Sequence, residues 1–339
     1  MTGAGSAGGA GKGGEGTDGA AGAGSATAGA VPERVGVIGG GRMGAGIAHA
    51  FLLAGADVTV VERDTDAVDA ARERIRRSVR ASVERGSAEP TGSVAVSIDW
   101  DGLGACGLVI EAVPEDRALK AEALRRAESL LGERAVLATN TSSISIDELA
   151  AGLARPAAFL GTHFFNPVPA SSLVEVVFGT ATAPAVIELV QGWVAAIGKT
   201  PVTVRDSPGF ASSRLGVLLG LEAIRMVEEG VATPDDIDAA MALGYGHPVG
   251  PLKLGDLVGW DVRLGIAEYL SDSLGERFEP PGLLRRMVAD GHLGRKSGRG
   301  FYEWPEAGSA GAGAASSPGS AGSPGSPGSP DSPAAPGRR

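Results

Sequence analysis

The sequence is poor in the residue types that most often carry redox, metal or membrane chemistry. Its 339 residues include a single cysteine, Cys106, and four histidines. One thiol excludes an intrachain disulfide and suits a reducing compartment, so a cytoplasmic location is expected. No pair among the Cys and His residues has metal-ligand spacing, and no metal is expected. Aromatic residues make up only 4 % of the chain. No apolar run approaches the roughly 18 residues of a membrane span. Positive charge is in deficit, at a formal net charge of −10. A nucleic-acid-binding face needs a basic surplus, so neither nucleic acid nor membrane is an expected partner.

The two ends lack large apolar side chains. Residues 1–30 are nearly all Gly, Ala, Ser and Thr, without the apolar stretch of a signal peptide. Residues 305–339 repeat Gly-Ser-Pro units. Neither composition buries enough apolar surface to offset chain entropy, so both are expected to be disordered. Almost none of the negative charge lies in these ends (Lys12, Glu15 and Asp18; Glu306, Asp331, Arg338 and Arg339), so the segment between them is the acidic part.

Order begins at Val31. Residues 34–38 (RVGVI) read as a buried strand, followed by Gly39-Gly40-Gly41-Arg42-Met43-Gly44 and a helix to about Ala54. This is a G-x-G-x-x-G loop in a strand–turn–helix setting. Gly39 permits a tight turn, Gly41 a close approach of backbone to pyrophosphate, and Gly44 close helix–strand packing. Arg42 and Met43 complete the loop, whose N–H groups at the helix start would face the phosphates. A second strand, 57–61, delivers Glu62, where an acid receives ribose hydroxyls. Glu62 favours NAD, because a carboxylate repels a 2′-phosphate; the adjacent Arg63 leaves NADP open. A charged amphipathic helix spans 65–85, with strands at 94–98, 108–112 and 135–138 and a helix over 115–131. Strands alternating with helices predict a parallel, doubly wound α/β sheet of Rossmann type. Three segments then end where such sheets bind ligands: Glu111–Glu115, Asn140–Ser143 and His163–Asn166.

The segment 161–177 reads GTHFFNPVPASSLVEVV. His163 sits in an apolar, strand-like run, and Glu175 follows twelve residues on. An imidazole takes and returns a proton near neutral pH, and a carboxylate folded against it fixes its tautomer. Taken alone, His163 is equally a structural histidine in a buried strand. His49, His247 and His292 read as structural. From Ser207-Pro208-Gly209-Phe210 onward the pattern turns helical. Helices are predicted over 210–229, 235–242, 252–271 and 281–290, the second opened by Thr233 as cap and Pro234 in the first turn. The architecture is thus a Rossmann-like domain over 31–206 followed by an all-α domain over 207–304.

The motifs IGGGRMGAGIA, VIEAVPE, ATNTSS, GTHFFNP, LVEVV, SPGF, GHPVGPLKLGD and GRKSGRGFYEW occur in that order. Together they resemble the L-3-hydroxyacyl-CoA dehydrogenase family, most like its short prokaryotic 3-hydroxybutyryl-CoA type. The resemblance implies NAD-dependent hydride transfer at C3 of a 3-hydroxyacyl thioester. It implies His163 as catalytic acid/base, Glu175 as its partner and Ser142 as the donor to the reacting oxygen, where charge develops. Asn140, Asn166, Glu115 and Lys120 match cofactor-side positions, and Lys296 the lysine of the C-terminal GRK motif. The helical domain would close over the substrate and carry a homodimer contact.

Four departures lie on the acyl-carrier side. Ser213 stands where the family places a substrate-contacting Asn, and offers fewer hydrogen bonds. Ser171-Ser172 replace Met-Lys, Lys253 replaces an acidic or amide residue, and the helical hairpin after the second strand is shortened at 86–97. Two enzyme readings follow: a short 3-hydroxyacyl-CoA dehydrogenase, or a dehydrogenase of a small, glyceryl-type hydroxyacyl group on an acyl-carrier protein. A third reading, a non-catalytic NAD-binding relative, would be favoured by loss of His163, Ser142 or Glu175; all three are present.

Overall fold

The computed structural model describes residues 30–304. The low-complexity ends, expected to be disordered, lie outside the described residues. The first strands, β1 (Arg34–Ile38) and β2 (Asp57–Val61), are Val-rich, and Val35, Val37 and Val60 are fully buried. Burial on both faces is the signature of an interior parallel strand. Between them runs α1 (Arg42–Leu53), and after them α2 (Thr65–Glu84). Asp64 caps α2 by accepting the Ala67 N–H at 2.7 Å. The 65–84 helix is a single straight element; β3 (Val94–Ser97) follows it with no second hairpin helix.

The sheet continues with β4 (Leu108–Glu111), α3 (Arg117–Glu128), β5 (Val136–Thr139), α4 (Ile146–Ala150), β6 (Phe159–Phe164), β7 (Leu173–Phe178), α5 (Pro184–Ala196) and β8 (Thr200–Arg205). The strand order is β3-β2-β1-β4-β5-β6-β7-β8. The order reverses between β1 and β4, which opens a crevice at their C-terminal ends. Six strands run parallel, but β7 pairs antiparallel with β6, and β8 runs parallel with β7. The all-parallel expectation is corrected here. The β6–β7 connection is too short for a crossover helix and permits only an antiparallel return.

Successive residues of β4 feed opposite layers. Leu108 and Ile110 pack with Ile47, Phe51 and Ile75 on one side, and Val109 packs with Leu124, Ile146 and Leu149 on the other. The sequence reading assigns nothing to α5, whose residues are apolar nearly all round and which contains Gly192 in mid-helix.

The second domain holds α6 (Ser212–Glu228), α7 (Pro234–Tyr245), α8 (Pro251–Val258), α9 (Trp260–Leu274) and α10 (Gly282–Ala289). The helix predicted over 252–271 is two helices. Gly259 breaks it at φ +109°, a region closed to most residues. The break swings the buried Trp260 back so that its Nε1–H donates to Asp256 at 2.5 Å. Asp256 also accepts from the Phe301 N–H (3.0 Å), the Tyr302 N–H (3.0 Å) and Trp304 Nε1 (2.8 Å). One buried carboxylate thereby pins the final GRGFYEW strip to the helical core. Lys253 spreads over the Tyr302 ring, 5.8 Å from its centroid. Truncating Asp256 to Ala leaves four donors without their acceptor, so D256A is expected to lose about 3 kcal/mol of stability. Thermal denaturation checks this; a Tm within 1–2 °C of wild type, well inside the shift expected for that loss, would contradict it.

Candidate active site

Five strand ends converge on the crevice. At the end of β1, Gly39 sits at φ +90° and donates its N–H to Val61 O at 2.8 Å. A Cβ on Gly44 would lie 1.7 Å from Gly39 O, so α1 approaches the turn as closely as glycine alone allows. Gly41 is the N-cap of α1. It offers no side-chain cap, and the first turn holds no acidic residue. In contrast, α2 and α3 are capped by Asp64 and Asp116. The first-turn N–H groups of α1, at Arg42 and Met43, are thus left for an external anion, and a bridging pyrophosphate fits them. At the end of β2, Glu62 Oε1 accepts from Gly40 N–H at 2.7 Å and Oε2 from Arg63 N–H at 3.2 Å. This carboxylate stands beside the glycine turn, where ribose hydroxyls can donate to it. The chemistry of these groups fits a dinucleotide.

The end of β4 carries a buried acid that sequence reasoning missed. Glu111 is fully buried and takes hydrogen bonds from Lys120 Nζ (2.9 and 3.1 Å), Val113 N–H (2.6 Å) and Thr139 Oγ1 (2.6 Å). Lys120 is 1 % exposed and also reaches Glu115 at 3.3 Å. It therefore acts from beneath the site, as the cation between two carboxylates. Glu115 Oε1 in turn receives Thr141 Oγ1 (2.6 Å), Ser142 N–H (2.9 Å), Ser142 Oγ (3.2 Å) and Ser143 N–H (3.1 Å). Burial alone would raise the Glu115 carboxyl. Lys120 and the donors from Thr141 and Ser142 outweigh it and hold the group below the usual range. At the end of β5, Asn140 Oδ1 accepts from Phe164 N–H at 2.9 Å and so ties β5 to β6.

His163 and Glu175 are direct partners in the β6–β7 ladder. Side chains on such a pair emerge on the same face, and His163 Nδ1 lies 2.7 Å from Glu175 Oε2. A carboxylate accepting at Nδ1 places the lone pair of the neutral ring on Nε2. Nε2 has no partner among the described residues. Phe165 and Phe210 flank the ring at centroid distances of 4.5 and 5.8 Å. Glu175 is 1 % exposed. Ser212 Oγ donates to its Oε2 at 2.8 Å, while Ser212 N–H (2.8 Å) and Ala211 N–H (3.2 Å) donate to Oε1. Burial pushes this carboxyl up, but His163 and Ser212 pull harder and hold it below its ordinary value.

The other sequence-selected residues fall at varied distances from this dyad. The Ser142 hydroxyl lies on Glu115 and makes no hydrogen bond to His163. Asn166 is exposed on the loop just past His163. Ser213 is half-buried and makes no hydrogen bond to either member of the dyad; the hydroxyl that reaches Glu175 is its neighbour Ser212. Lys296 pairs with Asp261 inside the helical domain at 2.5 Å and makes no contact with the glycine loop. Ser212 had one sequence signal. It opens α6 just after the SPGF turn, where Gly209 and Phe210 both have positive φ and aim the following amides at the sheet. Among the described residues no group of three Cys, His, Asp or Glu is placed to hold a metal. No described helix is long and apolar enough to cross a membrane.

Fold and site together define a Rossmann-type dinucleotide-binding oxidoreductase with a helical second domain. Residues 34–207 match the model of the 3-hydroxyacyl-CoA dehydrogenase NAD binding domain, and residues 209–304 that of the 3-hydroxyacyl-CoA dehydrogenase C-terminal domain. The chain is 40 % identical over 277 residues to a probable 3-hydroxybutyryl-CoA dehydrogenase of Deinococcus radiodurans, covering 80 % of this chain and 100 % of that one. It is 42 % identical over 281 residues to a 3-hydroxybutyryl-CoA dehydrogenase of Mycobacterium tuberculosis, covering 80 % and 98 %. The crystal structure of (S)-3-hydroxybutyryl-CoA dehydrogenase PaaH1 from Ralstonia eutropha superposes with a TM-score of 0.76 at 37 % identity, covering 81 % of this chain and 100 % of that one. The chain belongs to the 3-hydroxyacyl-CoA dehydrogenase family.

The lowered Glu175 carboxyl fixes a pH dependence. A group whose folded pKa is depressed contributes stability above its unfolded value, here 4.5, and loses it as pH falls through the folded value. Glu175→Gln removes that contribution. The Tm gap between wild type and E175Q is therefore expected to be widest above pH 5 and to narrow below pH ~4.5. A gap that stays constant from pH 7 to pH 3 would contradict the assignment.

Proposed function

We propose that the protein interconverts a short (3S)-3-hydroxyacyl-CoA, such as 3-hydroxybutyryl-CoA, and the 3-oxoacyl-CoA, with NAD as redox partner and His163 as acid/base. The observation that carries this reading is the His163–Glu175 dyad, set on adjacent strands of the sheet whose β1 carries the glycine loop, with β4 and β5 between them. The names of the relatives point to the same substrate class. Residues 31–206 serve as the cofactor unit and 207–304 as the substrate unit. Diffusible NAD and a CoA thioester suit a cytoplasmic enzyme.

NAD, held by the first-turn amides of α1 and by Glu62, would supply the hydride acceptor for C3 in oxidation and, in its reduced form, the donor. In the oxidative direction His163 Nε2 takes the C3 hydroxyl proton, and Glu175 stabilises the imidazolium that results. In the reductive direction that imidazolium gives the proton back to the nascent alkoxide. Ser142, whose hydroxyl bond to Glu115 is long at 3.2 Å, is the donor assigned to the reacting oxygen. Asn166 and Lys296 are assigned to the cofactor side, and Ser213 to the substrate side.

A cleft of about 540 Å³ begins just past His163, lined by Arg77, Ser78, Ala81, Arg85, Pro167, Pro169 and Ala170. Three other arginines of α2 pair with acids, Arg72 with Asp69, Arg76 with Glu73 and Arg80 with Glu84, and a fourth, Arg74, donates to the Gly40 carbonyl at 3.3 Å, away from this cleft's lining. Among the described residues Arg77 and Arg85 have no carboxylate partner. Two uncommitted guanidinium groups suit the phosphates of CoA, which favours CoA over a carrier-protein thioester. We also assign a homodimer to the helical domain, where Leu215 on α6, Leu243 and Tyr245 on α7 and Leu254 on α8 are exposed.

The test is NADH consumption with acetoacetyl-CoA and with acetoacetyl-carrier protein. Wild type is expected to prefer the CoA substrate. His163→Ala is expected to lose at least about 10²-fold in kcat while NADH still binds. Near-wild-type turnover by H163A would overturn the acid/base role, and faster turnover of the carrier-protein substrate would overturn the CoA reading. Light scattering is expected to show a dimer that Leu243→Asp dissociates; a monomeric wild type would contradict that assignment.

A further inference from the structure

Along its buried face α1 is apolar except at His49, which is 3 % exposed. His49 Nε2 lies 2.9 Å from Ser82 Oγ on α2, itself 5 % exposed. Ser82 Oγ also accepts from Arg85 Nη2 at 3.3 Å. Arg85 closes α2, and its side chain lines the cleft past His163. A buried pair thus stands directly behind one of the two uncommitted guanidinium groups. Beyond the pair, Lys199 Nζ donates to Val168 O (2.7 Å) and Ser171 O (2.5 Å) and so fastens the loop that forms the opposite wall.

The arrangement is costly for a mere packing contact. His49 Nδ1 has no hydrogen-bond partner among the described residues. A half-satisfied buried imidazole is disfavoured relative to an aliphatic side chain of similar size. Burial, followed by Lys199 and Arg85, pushes the His49 pKa down, so the ring is neutral and does not repel the guanidinium it supports. With Arg85 donating to Ser82 Oγ, the Ser82 proton is free to point at His49 Nε2, which aligns the hydroxyl lone pairs toward Arg85.

We propose that His49, acting through Ser82, is a positioning residue that fixes the Arg85 guanidinium in the cleft and so sets affinity for the phosphate-bearing end of the thioester carrier. The inference rests on the CoA reading above and adds a determinant to it. It predicts a change confined to carrier binding, not to proton transfer at His163.

Calorimetric titration with free CoA, together with steady-state kinetics, tests it. His49→Leu removes the hydrogen bond at similar volume, and Ser82→Ala cuts the link while leaving the imidazole in place. Each is expected to weaken CoA binding about fivefold, the scale of one net hydrogen bond. Each should raise KM for acetoacetyl-CoA in step, with kcat and the KM for NADH unchanged. KM for acetoacetyl-pantetheine, which lacks the nucleotide, should not move. His49→Gln, which keeps a hydrogen-bonding group, should restore most of the affinity. His49→Leu should add nothing in an Arg85→Ala background. Wild-type CoA affinity in both H49L and S82A overturns the inference alone. Equal losses with CoA and with pantetheine substrates, or additivity with R85A, reduce His49 to packing and also overturn it. If wild type binds no CoA, the CoA reading fails and the inference falls with it.

Discussion

The site depends on one buried carboxylate. Glu175 is 1 % exposed, and a charge taken so far out of water is tolerated only when its lone pairs are filled. Four donors fill them: the His163 ring across the ladder, and the Ser212 hydroxyl, Ser212 amide and Ala211 amide at the start of α6. Each set needs the other. Without α6 the carboxylate would face the sheet interior with one partner. Without β7 the first turn of α6 would present unpaired amides to the core. The acid that orients the His163 ring is therefore also the electrostatic joint between the sheet and the helical half.

A second carboxylate joint lies on β4, with β5 and β6 between it and β7, and follows the same logic. Glu111 takes four bonds from Lys120, Val113 and Thr139, and Lys120 extends the network to Glu115. Glu115 then gathers the Thr141–Ser143 turn through its own oxygen. The chain Glu111–Lys120–Glu115–Ser142 transmits the rigidity of β4 and β5 to a turn that is otherwise only polar loop. Polar residues near the reacting centre are thus held by acids that never need to touch a substrate. The buried acids Glu111, Glu175, Asp238 and Asp256 are each hydrogen-bonded, whereas Arg77 and Arg85 in the cleft have no carboxylate partner among the described residues.

Local chemistry was the legible part of the sequence. The glycine turn, Glu62 at the end of β2 and the pairing of His163 with Glu175 each follow from residue type and order, and the structure shows that geometry. The sheet direction after β6 was not legible, because it is decided by the length of a loop and not by any side chain. The break at Gly259 was hidden for a similar reason: the apolar period runs through 252–271, and only the burial of Trp260 against Asp256 decides that two helices form. Choosing between Ser212 and Ser213 needs the helix phase at the start of α6, where a one-residue shift rotates a side chain by about 100°. Lys120, expected on the cofactor side, is instead buried against the fully buried Glu111, which residue type and order do not reveal.

The departures on the carrier side take on a different meaning once α2 is in view. The shortened 86–97 segment removes cover from the cleft but leaves the helix that forms its wall, and with it Arg77 and Arg85. The replacement of Met-Lys by Ser171-Ser172 removes a long cation from the loop. Lys199 still holds that loop by its Val168 and Ser171 carbonyls, through bonds that do not depend on the side chains replaced. These two departures thus fall largely on loop residues, while the cleft wall is set by α2 and by the backbone that Lys199 holds. On the proposed CoA reading, carrier binding would rest on α2 and on the backbone held by Lys199, just before β8, and less on the loops.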